Sequence, residues 1–280
     1  MLLSRFEYRA ARTVQEALDL CAEQPGSRYL AGGTDLLPQL RGRRRVARVI
    51  DIKRIAELRT IREREDRGLT IGAAVPLGEI VTSRAVRERY PLLCDCCNAV
   101  GAYPLRNRAT MTGNICNASP AADTAVALLA LDALVVARGP AGTREIPLAG
   151  FFAGPGQTVL RPGEMVTAVV LPAATAHMRG SYQRLSRRRG MDLATVGVLV
   201  GRGHEGLQPR HRVALAAVAP TPVRVVAAEA LLDRDPLGEV TRAAEAARAA
   251  ARPITDVRGS AEYRREMVGV LVERAVKSLP

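Results

Sequence analysis

Aromatic residues are scarce in this chain of 280 residues, which has no tryptophan, three phenylalanines and six tyrosines. Lysine is scarcer: Lys53 and Lys277 are the two lysines among 41 basic residues, and the other 39 are arginines. A net charge of +13 suits a nucleic-acid ligand. The arginines are scattered, however, and no aromatic residues interleave with the basic clusters at 41–48 and 184–189 to form a base-stacking surface. We therefore interpret the arginines as solvated surface charge and expect no nucleic-acid partner.

Long apolar runs are also absent. The mean hydropathy is zero, and no run approaches the length of a membrane span. The first eight residues lack the apolar core of a signal peptide. We expect no membrane span and a cytoplasmic location.

The five cysteines are an odd number and follow no secretion signal, so we expect reduced thiols. Cys94, Cys96 and Cys97 are spaced more closely than the ligands of most zinc or iron–sulfur sites. Residues 91–100 are typical of a helix, on which these three side chains point in different directions. We predict packed helix cysteines and no metal site.

The first part of the chain has mixed helix and strand signals. Thr13 and Glu16 form a capping box at the start of a helix. Strands are predicted at 29–31, 47–52, 59–63, 69–73, 133–137, 144–147 and 165–171. A helix is predicted from Pro120 through 131, and residues 101–117 are expected to be irregular.

An Ala/Pro/Thr-rich stretch at 172–179 is the best candidate for a domain boundary. Beyond it we predict strands at 180–185, 194–200 and 213–219. Three helices are then predicted at 223–232, 237–251 and 261–279, with Pro222 and Ser260 as start signals for the first and third. The pattern predicts two α+β domains, at 1–174 and 175–280.

Residues 201–206 match the dinucleotide-binding spacing G-x-G-x-x-G. That motif functions where the glycines run from a strand directly into a helix. Here Pro209 and another strand follow, so we interpret the glycines as a hairpin loop and reject a Rossmann fold.

Two other segments are better suited to a phosphate group. Residues 31–35, Ala-Gly-Gly-Thr-Asp, leave a strand as a run of small residues whose N–H groups can converge on one anion. Residues 106–123 are small and rich in hydroxyl groups, and Asp123 can accept hydrogen bonds from sugar hydroxyls. Either segment alone is compatible with an ordinary turn.

Together, in this order, the two segments resemble the FAD-binding subunits of the molybdenum hydroxylase family, such as those of carbon monoxide and xanthine dehydrogenases. The family's first signature, Ala-Gly-Gly and a polar pair, is matched at 31–35. Its second runs from Arg-Asn through Thr-Ile-Gly-Gly-Asn to Asp-Pro or Ser-Pro and an Asp. It is matched at 106–107, 110–114, 119–120 and Asp123. The resemblance extends over nearly the whole chain.

The resemblance implies an α+β fold: a p-cresol methylhydroxylase-type FAD-binding domain of two α/β subdomains, then a small domain with a three-stranded antiparallel sheet and helices. Both glycine segments would wrap the FAD pyrophosphate, Asp123 would contact cofactor hydroxyls, and Val100 and Leu160 would pack near the flavin. The cofactor-binding residues that it predicts are Leu30, Ala31, Gly32, Gly33, Thr34, Asp35, Leu36, Val100, Thr110, Thr112, Gly113, Asn114, Asp123 and Leu160.

The resemblance further implies a subunit that passes electrons from [2Fe–2S] clusters on a partner through FAD to an external acceptor. The implied partners are a molybdopterin-containing large subunit and a [2Fe–2S] small subunit, in a dimer of heterotrimers. No general acid or base is predicted, and His177, His204 and His211 lie outside the predicted site. The alternatives are a self-contained FAD-dependent oxidoreductase of the same cofactor fold and a basic nucleic-acid-binding module.

The chain departs from the family pattern at three points. Thr112 replaces the usual glycine before Gly113, so the backbone there must either avoid positive φ or be strained. Gln183 and Arg184 occupy the region of a lysine seen near the flavin in xanthine dehydrogenases. The cysteine-bearing loop with which some relatives hold an added iron–sulfur cluster is absent.

Overall fold

A computed structural model describes residues 5–42, 44–64, 68–188, 190–205 and 208–279. The chain begins with a three-stranded parallel sheet in the order β1-β3-β2. Helix α1 begins where the Thr13 hydroxyl accepts the N–H of Glu16 at 3.1 Å, as the capping box predicts. The elements of this layer are β1 (Glu7–Ala10), α1 (Val14–Glu23), β2 (Arg28–Leu30), α2 (Leu36–Arg41) and β3 (Arg48–Asp51).

A five-stranded antiparallel sheet in the order β4-β5-β10-β6-β7 forms the second layer. Its central strand, β10, pairs with β5 and β6, which places residues distant in the sequence side by side. The strands from here to β10 are β4 (Ile61–Arg64), β5 (Gly68–Gly72), β6 (Leu134–Gly139), β7 (Gly142–Pro147), β8 (Phe152–Gly154), β9 (Gln157–Thr158) and β10 (Met165–Leu171); β8 and β9 pair as a separate small hairpin.

Six helices connect β5 to β6: α3 (Leu77–Thr82), α4 (Arg84–Arg89), α5 (Pro91–Ala99), α6 (Tyr103–Arg106), α7 (Met111–Cys116) and α8 (Asp123–Ala130). The prediction of an irregular segment at 101–117 was wrong, because α6 and α7 lie within it. The prediction that α8 starts at Pro120 was also wrong: residues 119–122 form a turn, and the helix begins at Asp123.

The cysteines of α5 are packed as predicted. Cys96 and Cys97 are fully buried in the main hydrophobic core, and Cys94 is nearly so. Burial raises the pKa of all three thiols, which keeps them protonated and unreactive.

The last third of the chain is an antiparallel sheet covered by three helices, with elements β11 (Arg179–Leu185), β12 (Val196–Glu205), β13 (Gln208–Ala216), β14 (Val223–Arg224), α9 (Val226–Arg234), α10 (Val240–Ala250) and α11 (Ala261–Lys277). The short strand β14 adds a fourth member to the three predicted. Because of this strand, the first of the three helices begins later than predicted, at Val226 rather than at residue 223. Ser260 caps α11 by accepting the N–H of Tyr263 at 3.1 Å, as predicted.

Gly201 and Gly203 of the rejected dinucleotide motif lie in β12 rather than in a loop. A Cβ at Gly201 would meet Met178 Sδ at 2.9 Å, so any larger residue here would have to displace the Met178 side chain. Gly206, the third glycine of the predicted hairpin loop, and residue 207 lie outside the described residues.

Helix α8 joins the second layer to the C-terminal sheet. All eight of its residues are buried, and they belong to a hydrophobic core that includes Leu199, Ala214 and Ala216 from β12 and β13. Just after α8, Asp132 forms ion pairs with Arg212, at 3.2 Å, and with Arg224. The two predicted domains therefore share a continuous core, and the boundary near 174 stays a prediction.

Candidate functional site

A cavity of about 1280 Å³ opens where the parallel sheet, the second layer and a loop of the C-terminal sheet meet. All fourteen residues predicted to bind the cofactor line it: Leu30, Ala31, Gly32, Gly33, Thr34, Asp35, Leu36, Val100, Thr110, Thr112, Gly113, Asn114, Asp123 and Leu160. All three histidines are described, and none lines this cavity. The structure thus brings together segments that are up to 130 residues apart in the sequence.

The first glycine segment leaves the end of β2 and turns into α2. Gly33 has φ +75°, a left-handed conformation that favours glycine. Gly32 packs against the second segment so tightly that a Cβ there would lie 2.1 Å from the carbonyl oxygen of Arg108. The two glycines are therefore required for different reasons, one for its backbone angle and one for the close contact between the two segments.

Four successive backbone N–H groups of this turn, those of residues 32–35, have no hydrogen-bond acceptor within the described part of the chain. Residues 32–34 are partly exposed, Asp35 is exposed, and all four line the cavity. A run of unpaired N–H groups in a turn that includes a left-handed residue is a binding site for anions. These groups therefore offer partial positive charge at the cavity wall.

The second segment is the start of a helix rather than a loop. Thr110 caps α7, and its hydroxyl accepts the N–H of Gly113 at 2.9 Å. Thr112 lies in the first turn with negative φ. The sequence left open whether the backbone at Thr112 avoids positive φ or is strained. The structure shows that it avoids positive φ, since a helical position does not need glycine.

The Thr112 side chain is left with an unsatisfied hydroxyl. Its Oγ1 is buried and has no hydrogen-bond partner among the described residues, and Thr112 lines the cavity. An unpaired buried hydroxyl costs about 1–3 kcal/mol, which makes Thr112 a candidate for a contact with a bound ligand.

Amide side chains connect the two segments. Asn117 Nδ2 donates to Asp35 Oδ1 at 3.3 Å, and its Oδ1 accepts from Gln39 Nε2 at 3.2 Å. Farther along, the Thr124 hydroxyl donates to Asn114 Oδ1 at 2.6 Å. These contacts fix the two segments relative to each other along the cavity wall.

Asp123, the first residue of α8, is buried, with its Oδ1 held by the C-terminal sheet. The Tyr182 hydroxyl donates to Oδ1 at 2.6 Å, and Arg184 Nε donates to the same oxygen at 2.9 Å. Burial raises the pKa of Asp123, and both contacts oppose that rise. Oδ2 has no hydrogen bond to any residue that the structure describes.

Sequence reasoning missed several lining residues. Tyr29 and Cys21 line the cavity beside the first segment, and the exposed Met191 and Leu193 line it from the loop after β11. Tyr182 and Arg184 share one face of β11 because side chains two residues apart on a strand point the same way. That periodicity pairs the two residues, and the family resemblance implies that Arg184 lies near the flavin, but neither signal reveals that Asp123 is their partner.

Two family models together account for most of the chain. Residues 4–174 match the FAD binding domain in molybdopterin dehydrogenase, and residues 181–279 match the CO dehydrogenase flavoprotein C-terminal domain. The carbon monoxide dehydrogenase medium chain of Hydrogenophaga pseudoflava is 37% identical over 99% of this chain and 98% of its own length. This chain is an FAD-binding medium subunit of the molybdenum hydroxylase family.

Further comparisons agree with this assignment. The xanthine dehydrogenase FAD-binding subunit of Escherichia coli O157:H7 is 32% identical over 96% of this chain and 94% of its own. A solved carbon monoxide dehydrogenase from Hydrogenophaga pseudoflava, which lacks the Mo-pyranopterin moiety of its molybdenum cofactor, superimposes with a TM-score of 0.93. The two chains are 36% identical, and the match covers 99% of this chain and 98% of the solved chain. The predicted family, fold class and FAD cofactor are therefore confirmed.

The residues of the cavity fit FAD. The run of N–H groups at 32–35 suits a pyrophosphate, the unpaired Thr112 hydroxyl offers one more hydrogen bond, and the volume exceeds the usual range for smaller ligands. No group of His, Cys, Asp and Glu in the described ranges is arranged to hold a metal ion. No helix in the same ranges is both long and apolar enough to cross a bilayer.

Proposed function

We propose that this chain passes electrons from [2Fe–2S] clusters on a partner subunit through its FAD to an external acceptor. The observation that carries the proposal is the pairing of two phosphate-binding features, the N–H run at 32–35 and the Thr112 hydroxyl, in a single cavity of a chain that belongs to this family. When bound, FAD supplies the redox chemistry, and the protein supplies binding, orientation and electrostatics.

The pyrophosphate would lie between the two segments. The N–H groups of residues 32–35 would donate to its oxygens from one side, and Thr112 and the start of α7 would contact it from the other. Gly32 keeps these two walls in contact, because any side chain there would collide with Arg108. Arg28, Arg44 and Arg161 line the same cavity and add positive charge.

The remaining predicted residues would hold the rest of the cofactor. Asp123 Oδ2 would accept a hydrogen bond from a cofactor hydroxyl, while Val100 and Leu160 would pack against the flavin ring. Met191 and Leu193 are about half exposed and lie on the cavity wall. They would cover the cofactor from the side of the C-terminal sheet.

A molybdopterin-containing large subunit and a [2Fe–2S] small subunit are the partners that we propose, in a dimer of heterotrimers. The names of the relatives support this, since several are described as the medium chain or the FAD-binding subunit of a dehydrogenase. The substrate would be bound by another subunit, and this chain would need no acid–base residues of its own.

Cofactor content tests the first half of the proposal. Purified chain should contain one FAD per polypeptide, which acid or heat should release intact because it is held by noncovalent contacts. A preparation that remains colourless after FAD is added, even with its partner subunits present, would contradict the proposal.

Assembly tests the second half. Pull-down from the native host should recover a molybdenum subunit and an iron–sulfur subunit, and substrate oxidation should require all three. The isolated chain should reduce dyes slowly at most. Recovery of the chain alone, fully active and free of molybdenum and iron, would instead identify a self-contained flavoenzyme.

A further inference from the structure

Two side chains of strand β11 hold the Asp123 carboxylate at the cavity wall. Oδ1 of Asp123 accepts two hydrogen bonds, from Tyr182 at 2.6 Å and from Arg184 at 2.9 Å. The Arg184 side chain is only 14% exposed, and Tyr182 is partly buried. Arg184 is fixed in turn by the carbonyl oxygen of Asp192, which lies on the cavity wall.

We propose that Tyr182 and Arg184 are positioning residues for the cofactor, which hold Asp123 ionised and oriented so that its Oδ2 can accept a hydrogen bond from a ligand hydroxyl. Neither residue is among the cavity-lining set, so each acts through Asp123. The inference rests on the proposed function, because it needs FAD to occupy this cavity. It makes FAD binding depend on a strand that lies outside the FAD-binding domain match at 4–174.

The groups around Asp123 keep its carboxylate ionised. Burial raises the pKa of Asp123, and the Tyr182 hydrogen bond and the Arg184 charge lower it. From α5, Cys96 and Cys97 also face Asp123, but burial raises the pKa of both thiols, so they are neutral. Burial and the nearby carboxylate likewise raise the pKa of Tyr182. Arg184 is therefore the one full positive charge in contact with Asp123 among the described residues.

Removal of Arg184 or of the Tyr182 hydroxyl should raise the pKa of Asp123. An ionised carboxylate accepts hydrogen bonds more strongly than a protonated one, so FAD affinity should fall as pH falls through that pKa. In Arg184→Met and Tyr182→Phe this loss should begin at a higher pH than in the unaltered chain.

The test measures the FAD dissociation constant between pH 5 and 8 for the full-length chain and its variants. Arg184→Met should weaken binding about tenfold or more at pH 7, and Tyr182→Phe by a smaller factor. Arg179→Met is the matched control, since Arg179 is exposed on the same strand, away from Asp123. If Arg184→Met fails to fold, Tyr182→Phe carries the test, because it removes one oxygen atom only.

An Asp123→Asn background separates positioning from a direct or purely structural role. There, Arg184→Met and Tyr182→Phe should have no further effect on FAD affinity, and the pH dependence should disappear. The positioning role would be overturned if Arg184→Met and Tyr182→Phe bound FAD as tightly as the Arg179→Met control, or if they lost as much FAD affinity in the Asp123→Asn background. Either result would leave the proposed function intact. Failure of the unaltered chain to bind FAD would overturn the proposed function and this inference with it.

Discussion

At the scale of single residues, the unpaired Thr112 hydroxyl should destabilise the cofactor-free protein and strengthen FAD binding. Thr112→Val replaces a buried, unpaired hydroxyl with a methyl group of similar size. We expect the cofactor-free protein to be as stable as before or more stable, and FAD binding to weaken about tenfold, the effect of one lost hydrogen bond.

Thermal unfolding of the apoprotein and FAD titration measure the two effects separately. Thr112→Ser, which keeps the hydroxyl, is the control and should bind FAD nearly as well as the unaltered chain. A Thr112→Val protein with unchanged FAD affinity would show that this hydroxyl does not contact the cofactor.

Asp256 predicts an acid-sensitive contribution to stability. Arg258 and the buried Arg264 donate to its carboxylate, and these hydrogen bonds, that of Arg258 foremost, hold its pKa below the ordinary value of 3.8. A lowered pKa stabilises the fold above about pH 3.8, and the benefit disappears as pH falls below that value. Asp256→Asn should therefore lower the free energy of unfolding at pH 7 by about 1–3 kcal/mol.

Chemical denaturation at pH 7 and at pH 3 tests the sign. The difference between Asp256→Asn and the unaltered chain should narrow in acid, since Asp256 of the unfolded chain binds a proton at a higher pH than Asp256 of the folded chain. A difference that is constant with pH would mean that the ion pairs of Asp256 do not account for it.

At the scale of elements, the contact between the two glycine segments is the most sensitive point of the cavity. In Gly32→Ala the new Cβ would overlap the backbone of Arg108, which cannot rotate away as a side chain can. We expect a loss of stability of about 1–3 kcal/mol or more, with FAD content falling too because the two walls separate.

Gly150→Ala is the matched control, since nothing lies within 4 Å of a Cβ at Gly150 and its φ is not positive. The comparison requires denaturation curves and the flavin content of both purified variants. Equal behaviour of the two would mean that the segments can move apart without harm.

Elements with strong local signals were predictable from the sequence. The capping residues Thr13 and Ser260 mark helices that begin where expected. Helices α6 and α7 were missed because they have four and six residues, too few for a helical period to be visible. Strand β14 was missed because its two residues are strand only by pairing with β13.

The candidate site was predictable to the extent that its residues lie in two continuous segments. The partners of Asp123 are 59 and 61 residues away on β11, and nothing near Asp123 in the sequence specifies them. Likewise, the close contact of Gly32 with Arg108 depends on the packing of two layers, which periodicity does not reveal.

At the scale of the whole molecule, the shared core predicts that the FAD-binding domain does not work alone. Without β12 and β13, a chain of residues 1–174 would expose one side of α8, and Asp123 would lose Tyr182 and Arg184. We expect this fragment to be poorly soluble and free of flavin.

Co-expression with residues 175–280 should restore both solubility and flavin content, because the interface is apolar and buried. The measurement is the ratio of flavin to protein after purification. A yellow, monomeric 1–174 fragment would show that the C-terminal sheet is dispensable for the cavity.

The cavity wall is built from the three-stranded sheet, the five-stranded sheet and the loop after β11, so bound FAD would hold these parts of the fold together. A ligand that binds only the folded state raises stability with its free concentration, by about 2.7 kcal/mol at 100 times its dissociation constant. Since unfolding of any one layer would dismantle the wall, flavin release and loss of the fold should coincide in one transition. The midpoint of that transition should rise with added FAD, so the protein should unfold most easily when the cofactor is scarce.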